Sequence, residues 1–429
     1  MSLLPNIIFA TLILLGIGFF ANNVRKLRRN ICLGRDVDTS GNAKLRWINM
    51  AKIALGQGKM VRRPIAGVLH IIVYLGFIII NIEVLEIIID GLLGTHRIFS
   101  GIGPIYGVLI GAFEVLALLV FISVVIFWFR RNIVNIKRFI SSEMKGWPKL
   151  DGNLILYFEI VLMALFLIMN ATDVEFQSSN NGNIISQFLA PIFEGMNLYL
   201  IERVAWWMHI TGIIIFLNYL YYSKHLHILL AFPNTYYGSV KPKGFLNNIE
   251  SVTNEVKLMM DPDSDPYASD TTESLAPEKF GASDVLDLNW VQLLNAYTCT
   301  ECGRCTSECP ANQTGKKLSP RKIMMDTRDR LVQVGNNIDS NNGEFKLDGI
   351  QLLGDYITNE EIWACTSCNA CVEACPISID PLSIILEMRR YLVMEQSAAP
   401  LELNNMMSNI ENNGAPWPYN QMDRLNWKN

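Results

Sequence analysis

The chain is short of histidine and of net charge. Only five histidines occur in 429 residues, and the formal net charge is −4. So small a balance gives no electrostatic case for a nucleic-acid partner. No cleavable leader pattern is evident. The apolar run 5–21 has no basic segment before it, and "NNVRKLRRN" follows it, the flank of a retained helix. Cysteine is scarce outside two tight groups, which hold eight of the nine; Cys32 stands alone. Such grouping is metal spacing rather than a disulfide framework, and it points to a reducing compartment.

What the chain has in excess is apolar sequence. Half of its residues are hydrophobic, and the surplus lies before residue 232. Five segments, roughly 5–22, 65–89, 104–129, 153–171 and 204–222, are long enough to cross about 30 Å of hydrocarbon. Basic residues gather at alternate ends: Arg25 to Arg29, then Lys59 to Arg63, Arg130 to Lys149, and Lys224 to Lys243. By the positive-inside rule the N-terminus is outside and everything after the fifth segment is cytoplasmic. That places the chain in a bacterial or archaeal cytoplasmic (inner) membrane as a multi-pass protein.

Residues 232–284 turn acidic and rich in Pro and Ser, and read as a linker or strap. A compact unit, 285–396, follows without any strand pattern. Ser319 with Pro320, and Asp380 with Pro381, are helix-start signals, and Gly335 is a candidate stop. The unit contains a repeat, "CTECGRCTSECP" and "CTSCNACVEACP", each C-x2-C-x2-C-x3-C-P. Three close thiolates hold three irons of one cube, and the fourth reaches to the other cube. This assigns one [4Fe–4S] cluster to Cys299, Cys302, Cys305 and Cys375, and the other to Cys365, Cys368, Cys371 and Cys309. The alternative is structural zinc in a membrane assembly or sensor protein, although zinc sites usually pair their cysteines.

Histidine is rare enough to read one residue at a time. His209 and His227 are eighteen residues apart, five whole turns, so on one continuous helix they share a face about 27 Å apart along the axis. His225 points away from that face and reads as interfacial, beside Lys224. His70 enters the second segment from the cytoplasmic side, at the level of His227. Together they offer two axial ligands to a haem b. His209 is a candidate for a second haem, with His96 in the outer loop as a possible reach-in partner. Glu83, Glu86 and Asp90 recur on one face of the second segment, and Glu114 lies in the third; they are candidates for a proton or quinone site. A helix end dipping into headgroups is the competing reading for Glu86 and Asp90.

The five-segment part resembles the cytochrome b, or gamma, subunit of respiratory nitrate reductase and the membrane subunit of heterodisulfide reductase. The resemblance rests on His70, Gly76–Phe77, His209, Ser223–Lys224 and His227. It implies two b haems held by four histidines, with Ile80 standing at the fourth position. The soluble part resembles the dicluster domain of heterodisulfide reductase and glycolate oxidase iron–sulfur subunits. "NIENNGAPWPYNQMDRLNW" is similar to the connector that leads there into cysteine-rich CCG domains. No cysteine follows Cys375, so the resemblance implies a separate CCG-bearing cytoplasmic partner, with Trp417 and Trp427 as anchors, in a hetero-oligomeric complex.

The expected architecture is therefore all-α: a five-helix transmembrane cytochrome b-like domain (1–231), an acidic strap (232–284), a helical dicluster [4Fe–4S] ferredoxin domain (285–396) and a partner-docking tail (397–429). The expected role is electron transfer between membrane quinone and a cytoplasmic redox protein. A haem-free iron–sulfur anchor with a quinone site is a further alternative.

Overall fold

Proline opens helix after helix. It stands in the first turn of α1 (Leu4–Ile31), α2 (Pro64–Leu93), α3 (Pro104–Asn132) and α4 (Trp147–Thr172). There its fixed φ suits the helix and its missing N–H has no partner to lose. With α5 (Leu198–Tyr219), these are, among the described residues, the five helices long and apolar enough to span a membrane. The computed structural model describes residues 3–179, 181–242, 244–261 and 279–428. Lys243 and residues 262–278, the middle of the expected strap, lie outside the described residues. Among the described residues the only β pairings are two isolated bridges.

The half of the bundle away from the soluble unit closes on Phe9, Ile110, Phe113, Phe166 and Ile210, all buried. Leu14, Leu15 and Val108 face outward, as lipid-facing side chains must. A second core begins at the other end with Leu27, Phe216, Leu220 and Leu226. It runs without a break into Leu293, Ala296, Tyr297 and Leu331 of the soluble unit. The two halves thus share one core at their joint.

Several expectations change here. The fifth helix does not reach His227. It gives way to a 3₁₀ turn at Leu220–Tyr222, and Ser223 is extended (φ −111°, ψ 148°). Buried Asp151 stitches the break, accepting from Tyr219 Oη at 2.5 Å and from Lys224 N at 3.1 Å. A new helix, α6 (His227–Tyr237), starts at His227 itself. The five-turn arithmetic between His209 and His227 therefore does not apply. α6 crosses the expected boundary at 231/232 and packs on α7 (Trp290–Thr298). The Tyr237 and Trp290 rings lie 4.8 Å apart, and Asn234 Nδ2 donates to Ile377 O at 2.8 Å. At its far end the expected strap is fixed as well: Ala282 N donates to Glu387 O, and Asp284 and Asp287 each cap the turn between them.

α1 is 28 residues long, about 42 Å, well over a hydrocarbon core of about 30 Å. Its last turns leave the bundle and dock on α9 (Pro320–Ser340), with α8 (Arg304–Glu308) lying between α7 and α9 in the chain. Ser319 caps α9 as expected, but Gly335 does not stop it. A Cβ at Gly335 would collide with the Asn30 amide, so the glycine permits close approach of α1. Arg29 Nη2 donates to Gly335 O, Asn30 Nδ2 donates to Tyr297 Oη, and Lys26 pairs with Asp339 at 2.8 Å.

Candidate metal centre

The two cysteine runs fold alike. Glu301 (φ +53°) matches Ser367 (φ +55°), and Gly303 (φ +69°) matches Asn369 (φ +61°). Each run then enters a five-residue helix, α8 in the first and α10 (Ala370–Ala374) in the second, and the two helices pack together. The left-handed residues curl each loop so that main-chain N–H groups reach sulfur. The Glu301 N–H bonds to Cys299 Sγ, and Ser367 N lies 3.4 Å from Cys365 Sγ. Asp380 caps α11 (Pro381–Arg390), as its pattern predicts.

One cavity is lined by Cys299, Cys302, Cys305 and Cys375, with Ile377 and Ile379 as apolar wall. The cavity unites three thiols of the first run with the fourth of the second, as the crossed assignment requires. Of the other four, Cys309 and Cys371 are buried, Cys365 is half-buried and Cys368 is exposed. Burial pushes the Cys299 and Cys371 thiols up to about 12 and Cys375 to about 11. Iron must therefore displace protons from these sulfurs on binding. Among the described residues no three metal-binding side chains converge on one ion-sized point. Four irons spread their thiolates round a cube, whereas zinc gathers four sulfurs at about 2.3 Å. The residues present fit cubane clusters.

The first run faces the membrane half. Arg304 donates to the Lys59 and Met60 carbonyls, and Arg63 to Ser307 and Glu308, all within 3.2 Å. Arg321 donates to Arg138 O at 2.5 Å and pairs with Glu143 at 2.6 Å. In the second run Cys368 is exposed, and Glu373 pairs with Arg62 at 2.7 Å.

The family profile described as "4Fe-4S dicluster domain" matches residues 298–379. Residues 298–379 are a 4Fe-4S dicluster domain. The chain is 29% identical to "Probable iron-sulfur-binding oxidoreductase FadF" of Bacillus subtilis, over 89% of this chain and 54% of the relative. It is 25% identical to "EtfAB:quinone oxidoreductase" of Syntrophomonas wolfei, over 87% and 52%. It is 31% identical to "Probable membrane-anchored ferredoxin" of Chromohalobacter salexigens, over 37% and 25%. Shorter stretches match heterodisulfide reductase polypeptides of methanogens, among them one of Methanosarcina acetivorans, 32% identical over 28% of this chain and 60% of the relative. The chain thus spans about half the length of the first two relatives. No solved structure matches it significantly. The chain thus joins a 4Fe-4S dicluster domain to five helices that, among the described residues, are long and apolar enough to cross a membrane.

Beside the dicluster domain the structure brings His70 and His227 together. Their ring centroids are 6.3 Å apart. Two imidazoles on opposite sides of one metal, with bonds of about 2 Å like those to zinc, put ring centres roughly 6 Å apart. His70 Nδ1 is buried without a partner, while Lys224 O lies 3.2 Å from His227 Nδ1 and orients that ring. The pair fits a haem. His225 is not interfacial, contrary to expectation. The break at Ser223 turns it inward, 5.4 Å from the His227 ring and 5.5 Å from Phe216, with Nε2 3.7 Å from Glu159 Oε1. His209 is buried with Nδ1 3.0 Å from Leu162 O, and the neighbouring ring is Phe166. His96 is held in the outer loop by Asp173 and Glu175, so it does not partner His209.

The outer acids are buried, not headgroup-facing. Glu86 accepts from Tyr106 Oη and Phe99 N; Asp90 accepts from Thr95 Oγ1 and the N–H groups of Arg97 and Ile98. Glu114 accepts from Asn170 and from the N–H groups of Ile185 and Ser186. These three carboxyls hold the outer loops in place. Glu83 differs: its Oε2 is buried with no partner. Sequence reasoning missed Glu159, a carboxyl inside the fourth membrane segment, which its position alone marks as exceptional. It also missed Glu301 and Arg321, which only the fold brings to the joint.

Proposed function

We propose that the chain is a membrane-anchored electron-transfer subunit linking a membrane quinone pool to a cytoplasmic redox partner. The observation that carries this is the joint. The cavity of Cys299, Cys302, Cys305 and Cys375 lies against the basic-flanked end of the bundle, across a core that continues into the membrane. That basic flank supports a cytoplasmic dicluster domain. Bound there, two [4Fe–4S] clusters and a haem b held by His70 and His227 supply one-electron redox chemistry. The protein's own part is positional. Main-chain N–H groups reach Cys299 and Cys365, apolar walls keep water from the first cavity, and Cys368 leaves the second site open to a partner. Glu83, with its free oxygen, is the best placed of the outer acids to bond a quinone or take its proton. His209 lacks a facing imidazole, which favours one haem over two.

The tail supports a partner surface. Neither α12 (Leu401–Asn413) nor the 421–428 turn buries a residue, and Trp417 and Trp427 are exposed. A CCG-domain redox protein is the proposed occupant, in a hetero-oligomeric complex. Metal analysis of anaerobically purified protein tests the reading. About nine irons per chain, eight from two four-iron clusters and one from a haem that pyridine haemochrome also reads, is expected. Zinc in place of iron would overturn it.

A further inference from the structure

The two cysteine loops share a backbone but not their tethers. Ser367, the left-handed residue of the second loop, is held within the dicluster domain: Arg389 Nη1 donates to its Oγ at 3.1 Å. Glu301, its counterpart in the first loop, is held from outside. Its carboxylate accepts from Lys224, which follows the fifth membrane helix, and from Arg328 of α9 at 2.7 Å. All three are largely withdrawn from water; the Glu301 side chain is 2% exposed and Lys224 10%. Lys224 Nζ also donates to Pro148 O at 2.6 Å and lies 3.7 Å from Asp151, the residue that stitches the break after α5. Glu301 sits between two cluster cysteines, and its own N–H bonds to Cys299. Hydrogen bonds to sulfur and nearby charge both set the potential of an iron–sulfur cluster.

We infer that Lys224 is a positioning residue through which the end of the fifth membrane helix sets the reduction potential of the cluster held by Cys299, Cys302, Cys305 and Cys375. The inference rests on the iron–sulfur reading above. Lys224 and Arg328 share the Glu301 carboxylate, with Asp151 and Asp329 as their further counter-charges; the Lys224 charge itself favours the reduced, more negative cluster, and its loss disfavours it. The second loop meets the membrane half through a different and more exposed pair, Arg62 with Glu373 at 2.7 Å, which does not involve the 220–224 turn. A change in the bundle that moves the 220–224 turn would therefore reach one cluster and not the other.

The test is an EPR-monitored redox titration of the full chain in detergent. It compares wild type with Lys224→Met, Lys224→Arg and Glu301→Gln. Lys224→Met lowers the potential of the first cluster by the equivalent of about a tenfold change in its reduction equilibrium, 59 mV for one electron. Glu301→Gln raises it, because one negative charge beside the cluster is removed while both cations stay. Lys224→Arg stays near wild type, and the second cluster shifts in none. Opposite signs separate charge tuning from loosening, which would move Lys224→Met and Glu301→Gln the same way. Equal-sign shifts, no shift, or equal shifts in both clusters overturn the inference. Wild type without any cluster signal would instead remove the iron–sulfur reading beneath it.

Discussion

Replacing Arg321 by Met cuts the joint at its most buried cation. The guanidinium is fully buried and lines the first cluster cavity. It reaches out of the dicluster domain into the α3–α4 connection, bonding Arg138 O, Ser141 and Glu143. Removing one partner of a buried pair costs about 3–5 kcal/mol. Glu143 keeps its bond from Ser319 Oγ at 2.8 Å and retains some water, its side chain being 10% exposed. The lower end, about 3 kcal/mol, therefore applies. For a cooperative unit of about 150–250 residues that is roughly 6–12 °C of melting temperature. The loss belongs to the joint, so cleavage of the 137–146 connection by protease should rise as well. Arg321→Met combined with Glu143→Gln should recover part of the loss, since no charge is then left unpaired. A melting temperature within about 2 °C of wild type, with unchanged proteolysis, would refute the reasoning.

Other consequences are equally direct. His70→Ala or His227→Ala removes the pyridine haemochrome signal and leaves cluster iron in place, whereas His209→Ala keeps both. Cys375→Ser erases the EPR signal of the same cluster as Cys302→Ser, and Cys309→Ser that of the other; signals pairing by sequence run instead would disprove crossed ligation. Burial raises the Asp287 carboxyl, but Lys279 and the N–H groups of Ser283 and Asp284 outweigh it and hold it below the usual 3.8. Its contribution is full above the unfolded value and is lost as pH falls through the lower folded one. Acid unfolding scans should show this limb of stability missing in Asp287→Asn.

Much of this arrangement was legible in the sequence, because its signals are local. The membrane helices declare themselves by apolar length, and Ser319–Pro320 and Asp380–Pro381 by capping chemistry. The cysteine spacing marks a dicluster domain. What was illegible depends on tertiary partners. Gly335 reads as a stop, yet α9 continues because Asn30 needs the space its missing side chain leaves. His227 meets His70 at the level both were read to share, whereas the helical arithmetic that put His227 on one face with His209 fails at Ser223, a break fixed by Asp151 from another helix. His225 turns inward for the same reason. Glu86, Asp90 and Glu114 look like a proton path by position, but the loop and helix start that follow α2 saturate the first two, and Asn170, Ile185 and Ser186, far along the chain, saturate the third.

Exchange of electrons between membrane quinone and the cysteine-held clusters is read most directly in lipid nanodiscs. The clusters of the full chain are bleached with a stoichiometric amount of dithionite, and an oxidised menaquinone analogue is added while visible absorbance is followed. Rapid return of the iron–sulfur absorbance is predicted. Clusters that stay bleached with the quinone, yet recover at once with ferricyanide, would contradict a quinone-linked role.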